Sequence, residues 1–107
     1  MADLTNANTV DIVGQDAAGR VVLIMVETRQ WGEDPIQEAQ LKQKINAYTG
    51  YILDGDLVRL YPETSGRPVI IQLNCVSAPT VEVEAITHHA ALQLKKLGID
   101  FQINVQP

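Results

Sequence analysis

The sequence has little of the chemistry that small domains use for metal sites and cross-links. Its 107 residues include one cysteine, Cys75, which excludes an internal disulfide bond, and no cysteine or histidine spacing resembles a zinc site. Aromatic residues are equally scarce, with one tryptophan, three tyrosines and one phenylalanine. We therefore expect an aliphatic core and no cofactor.

Basic side chains are few and dispersed. Eight basic residues stand against thirteen acidic ones, which gives a formal net charge of −5. A nucleic-acid or anionic membrane surface needs clustered positive charge, so we expect neither partner. A basic protein partner is electrostatically permitted. The basic residues are Arg20, Arg29, Lys42, Lys44, Arg59, Arg67, Lys95 and Lys96.

Long apolar runs are missing as well. No stretch approaches the roughly 20 residues of a transmembrane helix. Residues 1–8 have neither the basic start nor the apolar centre of a signal peptide, so we expect a cytoplasmic protein. The length fits one domain, and we expect a flexible tail at residues 1–8 followed by a single α+β domain at residues 9–107.

The densest apolar stretch is residues 21–26, called here the apolar run (sequence VVLIMV). Its β-branched residues predict a buried strand. Residues 9–15 alternate as a shorter strand, and Asp16 and Gly19 supply a turn between the two. These features predict a β-hairpin at the start of the domain.

The next segment predicts a helix. Asp34, Pro35 and Gln37 fit an N-cap, the first helical position and a capping box. An apolar stripe with the helical period follows, and residues 54–55 end it. Residues 56–61 predict one further helical turn. The stripe consists of Leu41, Ile45, Tyr48 and Ile52.

The second half repeats the order strand, helix, strand. Residues 69–76 predict a strand, and Thr80 is the predicted N-cap of a second helix that ends at Gly98. Phe101, Ile103 and Val105 alternate with polar residues as a last strand. The predicted buried stripe of the second helix is Val83, Ile86, Ala90, Leu94 and Leu97.

The element order is therefore β-β-α-β-α-β. Right-handed crossovers make the last three strands parallel and place both helices on one face unless the strand order reverses, while the hairpin adds the first strand antiparallel. We predict an α+β fold: a two-layer α/β sandwich with a four-stranded mixed sheet and two helices on one face.

The apolar run conflicts with that picture, because the helices can cover only one of its two faces. The surplus set is either Val21, Leu23 and Met25 or Val22, Ile24 and Val26. Either a loop, at Trp31 or at residues 57–60, folds over the uncovered set or a second subunit covers it, although scattered apolar residues on an open sheet are also ordinary. Our candidate interface is Val21, Leu23 and Met25 with Trp31, whose loop either closes the end of the core or contacts a partner.

The side chains that could bind a metal or act as nucleophiles are better explained by structural roles. Glu84 and His88, one helical turn apart, are weak metal-ligand candidates, but with no third ligand nearby an ion pair or solvated face is the better interpretation. Cys75 is expected to be a buried structural thiol. No phosphate-binding glycine loop or nucleophilic serine motif is present. We therefore predict no catalytic residue.

Several segments together resemble a family of small bacterial proteins classed as a domain of unknown function. They are residues 10–13, 21–26, Trp31, 41–48, 61–62 and 98–101. The resemblance implies bacterial origin and supplies no role.

The sequence leaves three hypotheses for function. The first is a non-catalytic interaction module that forms homodimers or binds a protein partner. The second is an acidic inhibitor or immunity-type protein that binds a basic partner, and the third is a small metal-dependent or ligand-binding enzyme using Glu84, His88 and Cys75.

Overall fold

The computed structural model describes residues 12–106. The predicted tail at residues 1–8, and residues 9–11 of the predicted first strand, lie outside them. The strands are β1 (Ile12–Gln15), β2 (Val21–Glu27), β3 (Val69–Cys75) and β4 (Ile99–Val105). The helices are α1 (Gln37–Leu53), α2 (Asp56–Leu60) and α3 (Val81–Lys96), and a 3-10 turn spans Pro62–Thr64.

The strands form one mixed sheet in the order β1-β2-β3-β4. β1 pairs antiparallel with β2, and β2, β3 and β4 pair in parallel. Because the strand order never reverses, successive right-handed crossovers place α1 and α3 on the same face. The predicted α+β architecture is confirmed, with α2 as the additional helical turn.

The core lies between this sheet and the helices. Val21, Leu23 and Met25 have no exposed surface and join one buried cluster with residues of all three helices. These three residues therefore lie beneath the helices, and their assignment to an exposed interface is corrected. The set that faces away from the helices is Val22, Ile24 and Val26.

The first helix starts later than predicted from Asp34 as the N-cap and Pro35 as the first helical position. The Gln37 side chain accepts a hydrogen bond from the backbone N–H of Asp34, which is the reciprocal half of a capping box. The Gln37 N–H, however, donates to the Asp34 carbonyl three residues back, so residues 34–36 form a tight turn and α1 begins at Gln37. The helix ends at Leu53, before Gly55, as predicted.

The predicted cap of α3 is confirmed, since the Thr80 hydroxyl accepts from the Val83 N–H over 3.2 Å. Gly98 has a left-handed backbone with φ of 77°, and its N–H donates to the Lys95 carbonyl, as in a Schellman ending. The predicted burial of Leu97 is wrong. Leu97 is the C-cap residue and is half exposed, because the chain turns there toward β4.

Candidate functional site

The sheet face opposite the helices is less exposed than its apolar residues suggest. Val22 and Ile70 are neighbours in the β2–β3 register, and they are only 8% and 1% exposed. Ile24 and Val26 are half-buried. This face therefore offers a narrow apolar strip along β2 rather than a broad patch.

A row of side-chain amides lies beside that strip. Gln72 and Asn74 of β3 are aligned with Gln102 and Asn104 of β4. Gln102 donates from Nε2 to Gln72 Oε1, and Gln72 donates from Nε2 to Asn74 Oδ1 over 2.7 Å. The row is uncharged and already internally bonded, and it reaches the β4 edge of the sheet.

β4 forms one edge of the described sheet. The Gln106 N–H donates to the Cys75 carbonyl of β3 over 2.8 Å, so the even-numbered residues of β4 turn their peptide groups toward β3. Because strand residues alternate, the odd-numbered residues turn theirs outward. The outward peptide groups belong to Ile99, Phe101, Ile103 and Val105.

The side chains of these same residues lie on the helix-covered face. Ile99 is buried, Phe101 and Ile103 are half-buried, and Val105 is 40% exposed. The edge therefore combines unpaired backbone groups, within the described sheet, with partly exposed apolar side chains. Such an edge is a template for pairing with another strand.

A hollow of about 300 Å³ lies where α3 overhangs β4. Its α3 wall includes Glu84, His88 and Ala91, and its β4 wall includes Phe101 and Ile103. The structure thus brings the predicted pair Glu84 and His88 to one hollow. Within residues 12–106, no group of three or more histidine, cysteine, aspartate or glutamate side chains is placed to hold a metal ion.

Trp31 closes the core at the carboxyl ends of strands β2 and β3. It is buried in the central cluster, and its backbone N–H donates to Ser77 Oγ over 3.2 Å. Its indole N–H makes no well-formed hydrogen bond in the described part of the chain. Of the two roles expected for Trp31, this position agrees with closing the end of the core, and it leaves little of the indole exposed to contact a partner.

The structure also reveals a buried ion pair that the sequence analysis missed. Glu27, at the end of β2, is 2% exposed and receives two hydrogen bonds from the Arg29 guanidinium, from Nε over 2.9 Å and from Nη2 over 2.8 Å, and a third from the Arg29 backbone N–H over 2.9 Å. Arg29 also bonds Asp34 and Gln40. The only signal in the sequence is that Glu27 continues the alternation of Val21, Leu23 and Met25.

Cys75 lies beside this cluster as a buried free thiol. Burial raises the pKa of the thiol, the nearby Trp31 indole lowers it by a smaller amount, and the Glu27 carboxylate raises it further. Thiolate formation is therefore disfavoured, which is the reverse of what a nucleophilic cysteine needs.

A second groove, of about 350 Å³, runs between α1 and α3. Its floor is apolar, with Ile45, Ile86 and Leu94, and Lys42 and His89 lie on its rim. His89 therefore faces a different hollow from His88. The groove carries no catalytic combination of side chains.

None of the helices in residues 12–106 is long and apolar enough to cross a membrane. A family model described as a family of unknown function matches residues 2–107 of the chain. No curated protein and no solved structure matches it.

Proposed function

The chain belongs to DUF6572, a family of unknown function, and we propose that it is a non-catalytic interaction module that self-associates through the β4 edge of its sheet. Family membership supplies no activity, so the proposal depends on the geometry. The single observation that carries it is the β4 edge, where outward peptide groups coincide with the partly exposed side chains of Phe101, Ile103 and Val105.

The composition of β4 supports this proposal. Natural sheets protect free edges with lysine, proline, bulges or very short strands. β4 is seven residues long, and Asp100 is its only charged residue. Its register with β3 runs without interruption from Ile99 to Val105, so no bulge twists the edge away. An edge of this kind is suited to adding a strand.

The apolar strip on the open face is a weaker candidate surface. Val22 and Ile70 are already buried, so a partner on that face would gain little additional apolar burial. Trp31 is likewise buried. The proposal therefore keeps the predicted self-association and moves its contact surface from the face of the sheet to its edge.

Light scattering on size-exclusion fractions over a range of concentrations tests the proposal. We expect a dimer that Val105→Lys weakens at least about tenfold, because the lysine places a charge on the pairing edge. Val58→Lys is the matched control, since Val58 is 41% exposed on α2 and Val105 is 40% exposed. A wild-type chain that stays monomeric at high concentration would falsify the proposal.

One observation favours an acidic protein that binds a basic partner as the second candidate. A hollow of about 170 Å³ beside Trp31 is lined by Asp34, Glu38 and Glu82, and its negative rim suits a lysine or arginine side chain. A pull-down that retains the same partner at low salt and loses it with Glu38→Gln plus Glu82→Gln would support it. A partner retained equally at high salt would argue against it.

The enzyme hypothesis has no comparable support, because Glu84 and His88 share a hollow without a third ligand, and within residues 12–106 no group of three or more potential ligands is placed to hold a metal ion. Zinc titration followed by thermal melting tests it directly. Bacterial origin and a cytoplasmic location remain predictions from the sequence.

A further inference from the structure

We infer that two copies of the chain pair their β4 strands antiparallel around Gln102 and pack their α3 helices side by side across the same two-fold axis. The inference rests on the proposed self-association and specifies its geometry. It also assigns α3, through Glu84, His88 and Lys95, to the interface.

The register follows from the outward peptide groups. In antiparallel pairing, two opposed residues that both face the partner exchange two hydrogen bonds. If Gln102 lies on the two-fold axis, Ile99 opposes Val105 of the second copy, and Phe101 opposes Ile103 of the second copy. All outward groups between Ile99 and Val105 are then satisfied. Centring the pair on Phe101 or Ile103 leaves one end of the strand unpaired.

The side chains agree with this register on both faces. On the helix-covered face, every cross-strand pair is apolar with apolar, which is the favourable combination in sheets. On the open face, Asp100 opposes Asn104 of the second copy, so no two carboxylates meet. Gln102 lies opposite Gln102 of the second copy on this face. The row of amides formed by Gln102, Gln72 and Asn74 therefore continues from one sheet into the other.

The hollow under α3 lies directly beside this seam. Phe101 and Ile103 form part of its wall. In the inferred register, Phe101 of one copy lies beside Ile103 of the second copy, and Ile103 lies beside Phe101 of the second copy. The apolar side chains added by the second copy lie against this hollow. Burial of apolar surface at that point adds a hydrophobic contribution to the backbone pairing.

The helix layer provides charge complementarity. Glu84, His88 and Ala91 of α3 face the β4 edge, and Lys95 follows Ala91 by one turn on the same stripe. Thr87 and His88 share the hollow with Gln102, so the axis passes near the middle of α3. The two α3 helices then run antiparallel, with Glu84 near the start of one helix opposite Ala91 of the other. Lys95 follows that Ala91 by one helical turn, a separation that the long lysine side chain spans.

Disulfide trapping tests the strand half of the inference. Gln102 is a non-hydrogen-bonded position on the axis, where opposed Cα atoms are about 4.5 Å apart, a separation that a disulfide can bridge. Gln102→Cys in the full chain should form a covalent dimer under mild oxidation, and native Cys75 is buried and should not compete. Gln43→Cys, on the exposed side of α1, measures random collisions.

Mixed variants identify the register. Asp100→Cys alone should not cross-link, whereas a mixture of Asp100→Cys and Asn104→Cys should give the heterodimer. If light scattering shows a dimer but Gln102→Cys cross-links no faster than Gln43→Cys, the inferred register is overturned while self-association stands. If the same samples are monomeric throughout, both proposals fail.

Charge reversal tests the helix half. Glu84→Lys should weaken the dimer about tenfold, because the new lysine of each copy then faces Lys95 of the other copy. Combining Glu84→Lys with Lys95→Glu should restore the affinity, because opposite charges face each other again. An unchanged affinity in Glu84→Lys overturns the assignment of α3 to the interface.

Discussion

Arg29 holds the Glu27 carboxylate through two parallel hydrogen bonds, Nε to Oε1 over 2.9 Å and Nη2 to Oε2 over 2.8 Å. The Arg29 side chain is one-fifth exposed, whereas Glu27 is almost fully buried at the end of the central strand β2. This pair fixes the start of the loop that carries Trp31.

Arg29→Ala should destabilise the fold by about 3 kcal/mol, because it leaves a buried carboxylate without its cation. Urea denaturation measures the change. Arg29→Lys should recover only part of the loss, since an ammonium group cannot form the two parallel bonds. Arg59→Ala is the control, because its ion pair with Asp56 lies on the surface and should leave stability essentially unchanged.

Burial raises the pKa of the Cys75 thiol, and this links stability to alkaline pH. Above the ordinary thiol pKa of about 8.5, the unfolded chain loses the proton that the folded chain keeps. The stabilising contribution is therefore complete below that pH and is lost as the pH rises toward the folded-state value. Urea unfolding in reductant at pH 7 to about pH 9.5 should show this decline, and Cys75→Ala should flatten it.

Burial also raises the pKa of Tyr51, and nearby Tyr61 and Asp56 add to that shift. Its contribution declines only above the ordinary tyrosine pKa of about 10. A decline between pH 7 and about pH 9.5 that is identical in wild type and Cys75→Ala would contradict the assignment to Cys75.

Tyr48→Phe should destabilise the fold by about 1 kcal/mol, because a buried hydrogen bond to β2 is lost. The Tyr48 hydroxyl donates to the Ile24 carbonyl of β2 over 2.7 Å, and the side chain has no exposed surface. Tyr61→Phe is the matched control on a partly exposed ring. Equal stability of the two variants in urea denaturation would show that the Tyr48 bond contributes nothing net.

Two glycines should respond oppositely to alanine. Gly50 lies inside α1, and a Cβ there would meet only Asp54 Oδ2 at an ordinary 3.8 Å, so Gly50→Ala should stabilise the fold by about 0.5–1 kcal/mol. Gly98 has φ of 77°, so Gly98→Ala should cost about 1 kcal/mol. Thermal melting of both variants checks the pair. A loss in Gly50→Ala would indicate strain in the middle of α1.

Elements whose signals are local could be predicted from the sequence. The Thr80 cap and the Gly98 ending depend on a few neighbouring residues, and both are confirmed. The layered architecture followed because crossovers between parallel strands are right-handed, which places both helices on one face when the strand order does not reverse. The stripe of α3 was less exact: Leu97 proved exposed, and Thr87 is buried although it was not assigned to the stripe.

Features that depend on distant packing could not be predicted. The apolar run shows equal hydrophobicity on both sides, so nothing in its own sequence distinguishes Val21, Leu23 and Met25 from the opposite set. Lys44 is fully buried in α1, and its Nζ lies 5.4 Å from the centre of the Tyr48 ring. Its spacing from Leu41 and Tyr48 places it on the buried side of the helix, whereas its charge predicts the solvent side. The free edge at β4 was likewise hidden, because strand order in the sheet is a property of the assembled fold.

The unguarded character of β4 has a consequence for handling the protein. A strand that has only one acidic residue between Ile99 and Val105, and no lysine or proline, is prone to uncontrolled stacking whenever its proper neighbour is missing. A substitution on α3 that separates the copies, which raises the amount of chain with a free β4 edge at a given concentration, should therefore increase precipitation during expression and storage. Val105→Lys is the exception, since it separates the copies and protects the exposed strand with the same charge.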